Sequence, residues 1–312
     1  MTRDFRAEGE LVRRLAGERR ESRLLINFLS GAPLLETISG PGVILSGHDC
    51  MSHLHAEEAK YAVGLTQRLH FRLRRMFAVN AERRYAHRAE AVHLVSDCDS
   101  RELLKINPRA RTRVIPLGND EPEPGRLRPW AGRHRQVIWG SLASGPIVTG
   151  LRQLFAAARA CRPAMFDGWV VVGRIPEARA REILPELNEY RIEYLERVED
   201  MTGFLAETSR LLVPDIGGTG QKTRTQDGLS HGCCVLGTPQ AFRGLETDAT
   251  QKPYVIADDP EALAARMASL TDADAADCAA RAPVFFRSRC SRSMLARQWA
   301  DLVGSLGTLP HA

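Results

Sequence analysis

The chain has no long hydrophobic run. Its longest apolar stretches, such as "WVVVG" at 169–173 and "RLLVP" at 210–214, are strand-sized, whereas a membrane-spanning helix needs about 20 apolar residues. The opening "MTRDFRAEGELVRRLAGERRE" has no apolar h-region, so no secretory signal is expected. Aromatics make up 6 % and are not interleaved with the cations, which leaves no row of platforms for stacked bases and argues against nucleic acid as a partner. The seven cysteines show no CxxC spacing. Buried free thiols in a reducing cytoplasm are expected, rather than a disulfide framework. Neither GxxxxGK[ST] nor HExxH occurs, and there is no internal repeat or low-complexity tract.

What is present is the balance of a globular protein, 44 % hydrophobic and 26 % charged over 312 residues. That length suits one large domain or two ordinary ones. The net charge of +5 is uneven: residues 1–117 hold 20 Lys/Arg against 14 Asp/Glu, the remainder 23 against 24. Excess positive charge in the first portion favours an anionic partner there, or it is a solvated helix face.

Apolar runs at 23–30, 42–49, 91–96 and 112–118 read as strands. Residues 4–20 and 55–89 read as helices; in the second, Leu65, Leu69, Leu73 and Met76 recur at helical spacing, so one stripe is expected to face a core. Arginines crowd its other faces, and the stretch 60–90 is a candidate for contact with an anionic membrane surface. Residues 119–134, "NDEPEPGRLRPWAGRH", read as a linker. The alternation then restarts: strands at 136–140, 168–173, 191–195, 210–214, 233–238 and 254–257, with helices at 150–160, 176–187, 199–207 and 222–231 and from 260 to about 304. This predicts an α/β protein of two Rossmann-like domains with parallel sheets, 1–118 and 135–312, the last helix being free to pack back on the first domain. Ligands of such sheets bind beyond the carboxyl ends of the strands.

At one of those ends stands "GGTGQKTRTQDGLSHG", residues 217–232. Gly217, Gly218 and Gly220 let backbone approach a ligand. A following helix offers unpaired N–H groups to phosphate oxygens, and Lys222 and Arg224 add positive charge. Asp227, inside the helix, is placed to accept hydrogen bonds from sugar hydroxyls. A tight turn with surface cations would leave the same trace.

The segment "GTGQKTRTQDGLSHGCCVLGTPQAFRGLE" resembles the signature region of family 4 glycosyltransferases of the GT-B fold. "HLVSDCDSRELLKINPRARTRVIPLGND" is similar to the end of that family's first domain, and "VIWGSLASGPIVTGLRQLF" to the opening of its second. The resemblance covers roughly 90–300 and, more weakly, 42–90. It implies a retaining transfer of sugar from a nucleotide-diphosphate sugar to an unknown acceptor, without an obligatory metal or other cofactor. Asp227 takes the place of the family's ribose-binding glutamate, one methylene shorter. Thr219 stands where the partner acid of the E-x7-E motif would fall, Lys222 matches the family's lysine, and Gly140 its close-approach glycine. Amides around Gly218, Thr219 and Gly220, with Lys222 and Arg224, would hold the diphosphate. In "VILSGHD", His48 takes the position of a histidine that faces the donor sugar; His48 and Lys222 are thus the implied catalytic residues. The family's leading strand and glycine loop have no counterpart, so the first domain is expected to be reduced. The implied setting is cytoplasmic, with attachment to the inner membrane face through 60–90 as an extension.

Three rival readings stand beside this one. A catalytically inactive GT-B module would bind nucleotide or a partner enzyme. A GT-B epimerase would need cleft carboxylates that cannot be placed. A metal site through His48, His53 and His55 would need a fourth ligand. His93, inside an apolar strand, reads as a satisfied core histidine.

Overall fold

The computed structural model describes residues 5–17, 22–123, 125–161, 163–245 and 252–309. The chain divides into two units, Met1–Pro116 with Leu295–Ala312, and Leu117–Met294.

The first unit opens with α1 (Phe5–Gly17); residues 4 and 18–20 of the helix expected there lie outside the described residues. Strands β1 (Leu24–Asn27), β2 (Gly40–His48), β3 (Ala89–Leu94) and β4 (Thr112–Val114) form one parallel sheet in the order β1-β2-β3-β4. A 3-10 segment, Leu29–Glu36, follows β1. Helices α2 (Met51–Tyr61) and α3 (Leu65–Tyr85) follow β2, and α4 (Asp97–Ile106) follows β3. Ser96 caps α4, its hydroxyl accepting from the Asp99 N–H at 3.1 Å. One core gathers Ile26, Leu35, Leu45, Tyr85 and Leu309; another gathers Val92, Leu94 and Leu103.

Two expectations for 55–89 need correction. The helix is interrupted, because Gly64 takes φ 84° between α2 and α3. The apolar stripe does not face a core: Leu65, Leu69, Leu73 and Met76 are 82 %, 58 %, 46 % and 57 % exposed. The face of α3 that packs carries Ala78, Glu82 and Tyr85 instead. A helix has two faces of similar spacing, and here the tertiary contacts select the less apolar one.

Among its described residues the second unit holds six parallel strands, β5 (Arg135–Trp139), β6 (Trp169–Val172), β7 (Glu193–Leu195), β8 (Thr208–Val213), β9 (Cys234–Gly237) and β10 (Val255–Ile256). Their order is β10-β9-β8-β5-β6-β7, the doubly wound arrangement whose direction reverses between β5 and β8. Helices α5 (Gly145–Cys161), α6 (Glu177–Ile183), α7 (Glu186–Glu189), α8 (Met201–Ala206), α9 (Thr223–Ser230), α10 (Pro260–Ser269) and α11 (Asp272–Arg289) cover it. The helix expected over 176–187 is broken at Pro185, between α6 and α7, because proline brings no amide hydrogen. Two cores fill the space around the sheet, one around Leu151, Phe155, Phe166 and Tyr190, the other around Leu205, Leu229, Phe242 and Phe286. Burial on both faces explains why the strands read as continuous apolar runs.

Residues 119–134, read as a linker, belong to this second unit. Asn119 is tied in by its N–H to the Cys290 carbonyl at 3.1 Å and by its carbonyl to the Arg292 N–H at 3.2 Å. Helix α12 (Arg292–Ser305) then returns the chain to the first unit, where Trp299 meets the His93 ring at 4.5 Å and Leu309 enters the core.

Candidate functional site

The glycine loop follows β8 at the point where the strand order of the second unit reverses. Beyond Val213 the chain runs through Pro214, Asp215 and Ile216 into Gly217, and α9 begins at Thr223. Gly218 and Gly220 adopt φ of 97° and 62°, where any other residue is strained. A Cβ on Gly218 would also stand 3.2 Å from the Lys222 ammonium. The N-cap of α9 is Lys222, in extended conformation and without a side-chain cap bond. The first-turn N–H groups are therefore not taken by a capping side chain, as an anion site at a helix start requires.

The two cations expected beside this loop are there, but they are not bare. Both lean on Asp215, which is almost wholly buried: Arg224 in a direct ion pair, Lys222 with its ammonium 4.0 Å away. Lys222 also donates to the Thr219 carbonyl at 3.0 Å, so its head lies against the loop. Arg243 donates to the Gly218 carbonyl from the other side. Thr219 contributes the carbonyl that Lys222 meets; its hydroxyl is buried and, among the described residues, has no hydrogen-bond partner. One carboxylate against three cations leaves the loop net positive, with its cations held in fixed places.

Asp227 sits one turn into α9. The Asn119 amide donates to its carboxylate at 2.7 Å. Burial pushes the Asp227 carboxyl up to about 6, the Asn119 bond acting in the opposite sense. Gly140, at the end of β5, makes room for α5 rather than standing open: a Cβ there would come within 2.9 Å of Ile147.

His48 ends β2 in the first unit with φ 61°. Its Nε2 bonds the Asn27 side-chain carbonyl at 3.0 Å, and its ring stacks on Phe28 at 4.9 Å. Burial lowers its pKa; with the N–H of the neutral ring given to the Asn27 carbonyl, Nδ1 is left as an acceptor for a hydroxyl. His93 lies beneath, edge-on at 5.8 Å, with one nitrogen on Ser46 and the other on the Ile115 carbonyl, both at 2.8 Å. It is the satisfied core histidine that its strand suggests. The other two histidines of the metal reading are engaged elsewhere: His53 lies 3.6 Å from Asp99, and His55 bonds Glu58 at 2.7 Å. Among the described residues no group of three or more His, Cys, Asp or Glu side chains could hold a metal ion.

Sequence reasoning missed Asn27, Phe28, Asn119, Asp215 and Arg243. Asp215 alone had a local signal, an acid between a strand and a glycine loop. The cavities lined by Gln136, Trp169 and Arg210 and by Lys252, Cys278 and Arg281 contain none of the expected residues.

No family model and no curated protein matches the sequence. Solved structures do match. The chain is similar to Anabaena HepE in complex with UDP and glucose, at 15 % identity and a TM-score of 0.66 over 96 % of this chain and 81 % of that one. It is similar to TarM at 9 % identity and a TM-score of 0.67, over 95 % of this chain but only 57 % of TarM. The UDP-forming α,α-trehalose-phosphate synthase of Burkholderia vietnamiensis matches at 13 % identity and a TM-score of 0.61, over 96 % and 78 %. Two parallel α/β units and these likenesses together give the chain the GT-B fold.

Proposed function

We propose that the protein is a retaining glycosyltransferase that takes a sugar from a nucleotide-diphosphate sugar. The observation that carries this reading is the loop Gly217–Gly220 with Lys222, Arg224 and Arg243, set at the strand reversal of the second unit. In the reaction the bond between the anomeric carbon and the diphosphate breaks, the acceptor hydroxyl oxygen forms the new bond and gives its proton to the departing diphosphate oxygen, and the nucleoside diphosphate leaves. The loop amides and cations would stabilise the charge on that leaving group. Asp227, presented with Asn119, would take the ribose, and His48 would orient the sugar. The reading assigns no metal, since the cations of the loop supply the positive charge.

UDP, bound in the HepE structure, is the first nucleotide to try. A cytoplasmic setting suits Cys50, Cys98, Cys233, Cys234, Cys278 and Cys290, all free thiols. No described helix is long and apolar enough to cross a membrane. A lipid-borne acceptor, reached by peripheral attachment through α3, fits the arginines of that helix.

The test is a thermal-shift panel of nucleoside diphosphates and their sugars, followed by detection of nucleoside diphosphate release. A true donor raises the melting temperature with occupancy and is turned over, while Lys222→Ala loses both effects. Binding without turnover by any acceptor would favour the second reading, a catalytically inactive nucleotide-binding module. The shorter acid at 227 and the pairing of both cations with Asp215 are the observations on that side. No shift with any nucleotide removes both readings.

A further inference from the structure

Helix α3 presents to solvent what a buried helix hides. Leu65, Leu69, Leu73, Met76 and Phe77 are all exposed. At about 100° per residue they occupy roughly a third of the helix circumference, and the packed residues Ala78, Glu82 and Tyr85 lie on the opposite side. Arg68, Arg72 and Arg75 border this sector on one flank, His70 and Arg74 on the other, and all five are exposed. Glu82, the single acid in α3, is buried. Arg72, Arg75 and Arg83, with Asn80, Met76 and Phe77, also line an open groove of about 840 Å³ along the helix.

We infer that α3 is a docking surface for an anionic lipid bilayer, lying in the interfacial plane with its leucines, Met76 and Phe77 in the acyl boundary and its arginines on lipid phosphates. The charge pattern selects this occupant. Long arginine side chains beside an apolar stripe keep their heads at the level of the headgroups while their stems cover apolar surface. The groove sets three guanidinium groups beside two apolar side chains, the chemistry of a phosphate carried on a hydrocarbon chain. A second copy of the same face is a poor fit, because a symmetric pairing would set arginines against arginines with no exposed acid on the helix to meet them. The inference is independent of sugar transfer, since binding is read without donor or acceptor.

The experiment is co-sedimentation of the full chain with vesicles of phosphatidylcholine alone and of phosphatidylcholine mixed with phosphatidylglycerol. The expected result is at least about tenfold tighter binding to the anionic vesicles, weakened by high salt. Leu69→Asn with Leu73→Asn, and separately Arg72→Gln with Arg75→Gln, should each lower that binding about tenfold. These side chains are exposed, so both double variants should keep the wild-type melting temperature. Absence of binding to anionic vesicles by the wild-type chain would overturn the inference. So would binding by either double variant as tight as that of the wild type. A concentration-dependent dimer abolished by the leucine changes would overturn it as well, assigning the face to a second copy.

Discussion

The ring of Phe28 stacks on the imidazole of His48, centroids 4.9 Å apart and planes 22° from parallel, and both residues have a positive φ. They stand at the carboxyl ends of neighbouring parallel strands, β1 and β2. His48 is in the left-handed region, while Phe28, at φ 66° and ψ 152°, occupies a region otherwise kept for glycine. Half-exposed rings on strained backbone are not what packing alone selects. Strain of this kind gathers at functional sites, and the role proposed for His48 gives this pair a reason to carry it.

The strain predicts an inverted order of stability. Phe28→Ala loses the stack and keeps the disfavoured backbone, whereas Phe28→Gly loses the stack and relieves it. The glycine variant should therefore be the more stable by about 1 kcal/mol, against the usual preference for alanine. Chemical denaturation of the two variants decides it.

At His48, asparagine tolerates the left-handed region and valine does not. His48→Asn should hold stability within about 0.5 kcal/mol, and His48→Val should lose about 1–2 kcal/mol. If His48 orients the donor sugar, both should lower the rate of transfer by about a hundredfold or more. A His48→Asn enzyme of full activity would remove His48 from the mechanism.

Acid should weaken the fold through its histidines. Burial lowers the pKa of His48, His93 and His231 below the ordinary value of 6.5. Such groups contribute stability that is present above the unfolded value and lost as pH falls through the folded one, because the unfolded chain takes up protons that the folded chain refuses. Between pH 7 and pH 5 the wild type should therefore lose more of its urea midpoint than a His93→Gln variant does, since the opposing gain from Asp227 is common to both and cancels. An equal change in the two would contradict the burial of His93 between Ser46, Ile115 and Trp299.

The fold was legible in the sequence because the central strands, buried on both faces, leave apolar runs, which need no knowledge of partners. The ten described strands fall where apolar runs stand, and the glycine loop announced itself by composition. What stayed hidden depends on contacts distant in sequence. Asn119 meets Asp227 across 108 positions, and nothing in a stretch rich in proline and glycine marks one asparagine as anchored. The exposed face of α3 was misread because periodicity reports that a stripe exists but not which side of the helix the neighbours choose.

Asp227 should behave as an acid kept against its preference. Its carboxyl is pushed up to about 6 from 3.8, chiefly by burial. A raised folded value contributes stability that is full below the unfolded pKa and lost as pH rises through about 6, so at neutral pH the ionised group costs up to about 3 kcal/mol. Asp227→Asn should therefore stabilise the protein at pH 7.5 by about 1–2 kcal/mol, and have little effect near pH 3.5. If the carboxylate serves the ribose, the same variant should bind nucleoside diphosphates more weakly. Gain of stability with unchanged nucleotide affinity would leave Asp227 a structural residue only.

Asp215 offers the sharpest test of the loop, because it holds both expected phosphate ligands. Its side chain is 6 % exposed, those of Lys222 and Arg224 11 % and 19 %. Removing one member of so buried a cluster leaves charge without a partner, so Asp215→Asn should cost about 3 kcal/mol. Adding Arg224→Gln to Asp215→Asn removes the stranded charge and should recover part of that loss, which a double-mutant cycle measures. The anion-site reading makes a second, opposite demand on the same single variant. With the competing carboxylate gone, Lys222 and Arg224 can turn to an external anion, and inorganic pyrophosphate should raise the melting temperature of Asp215→Asn more than that of the wild type. If pyrophosphate stabilises neither protein, the ion pair is only a fastening of the glycine loop to β8, and the cations bind no phosphate.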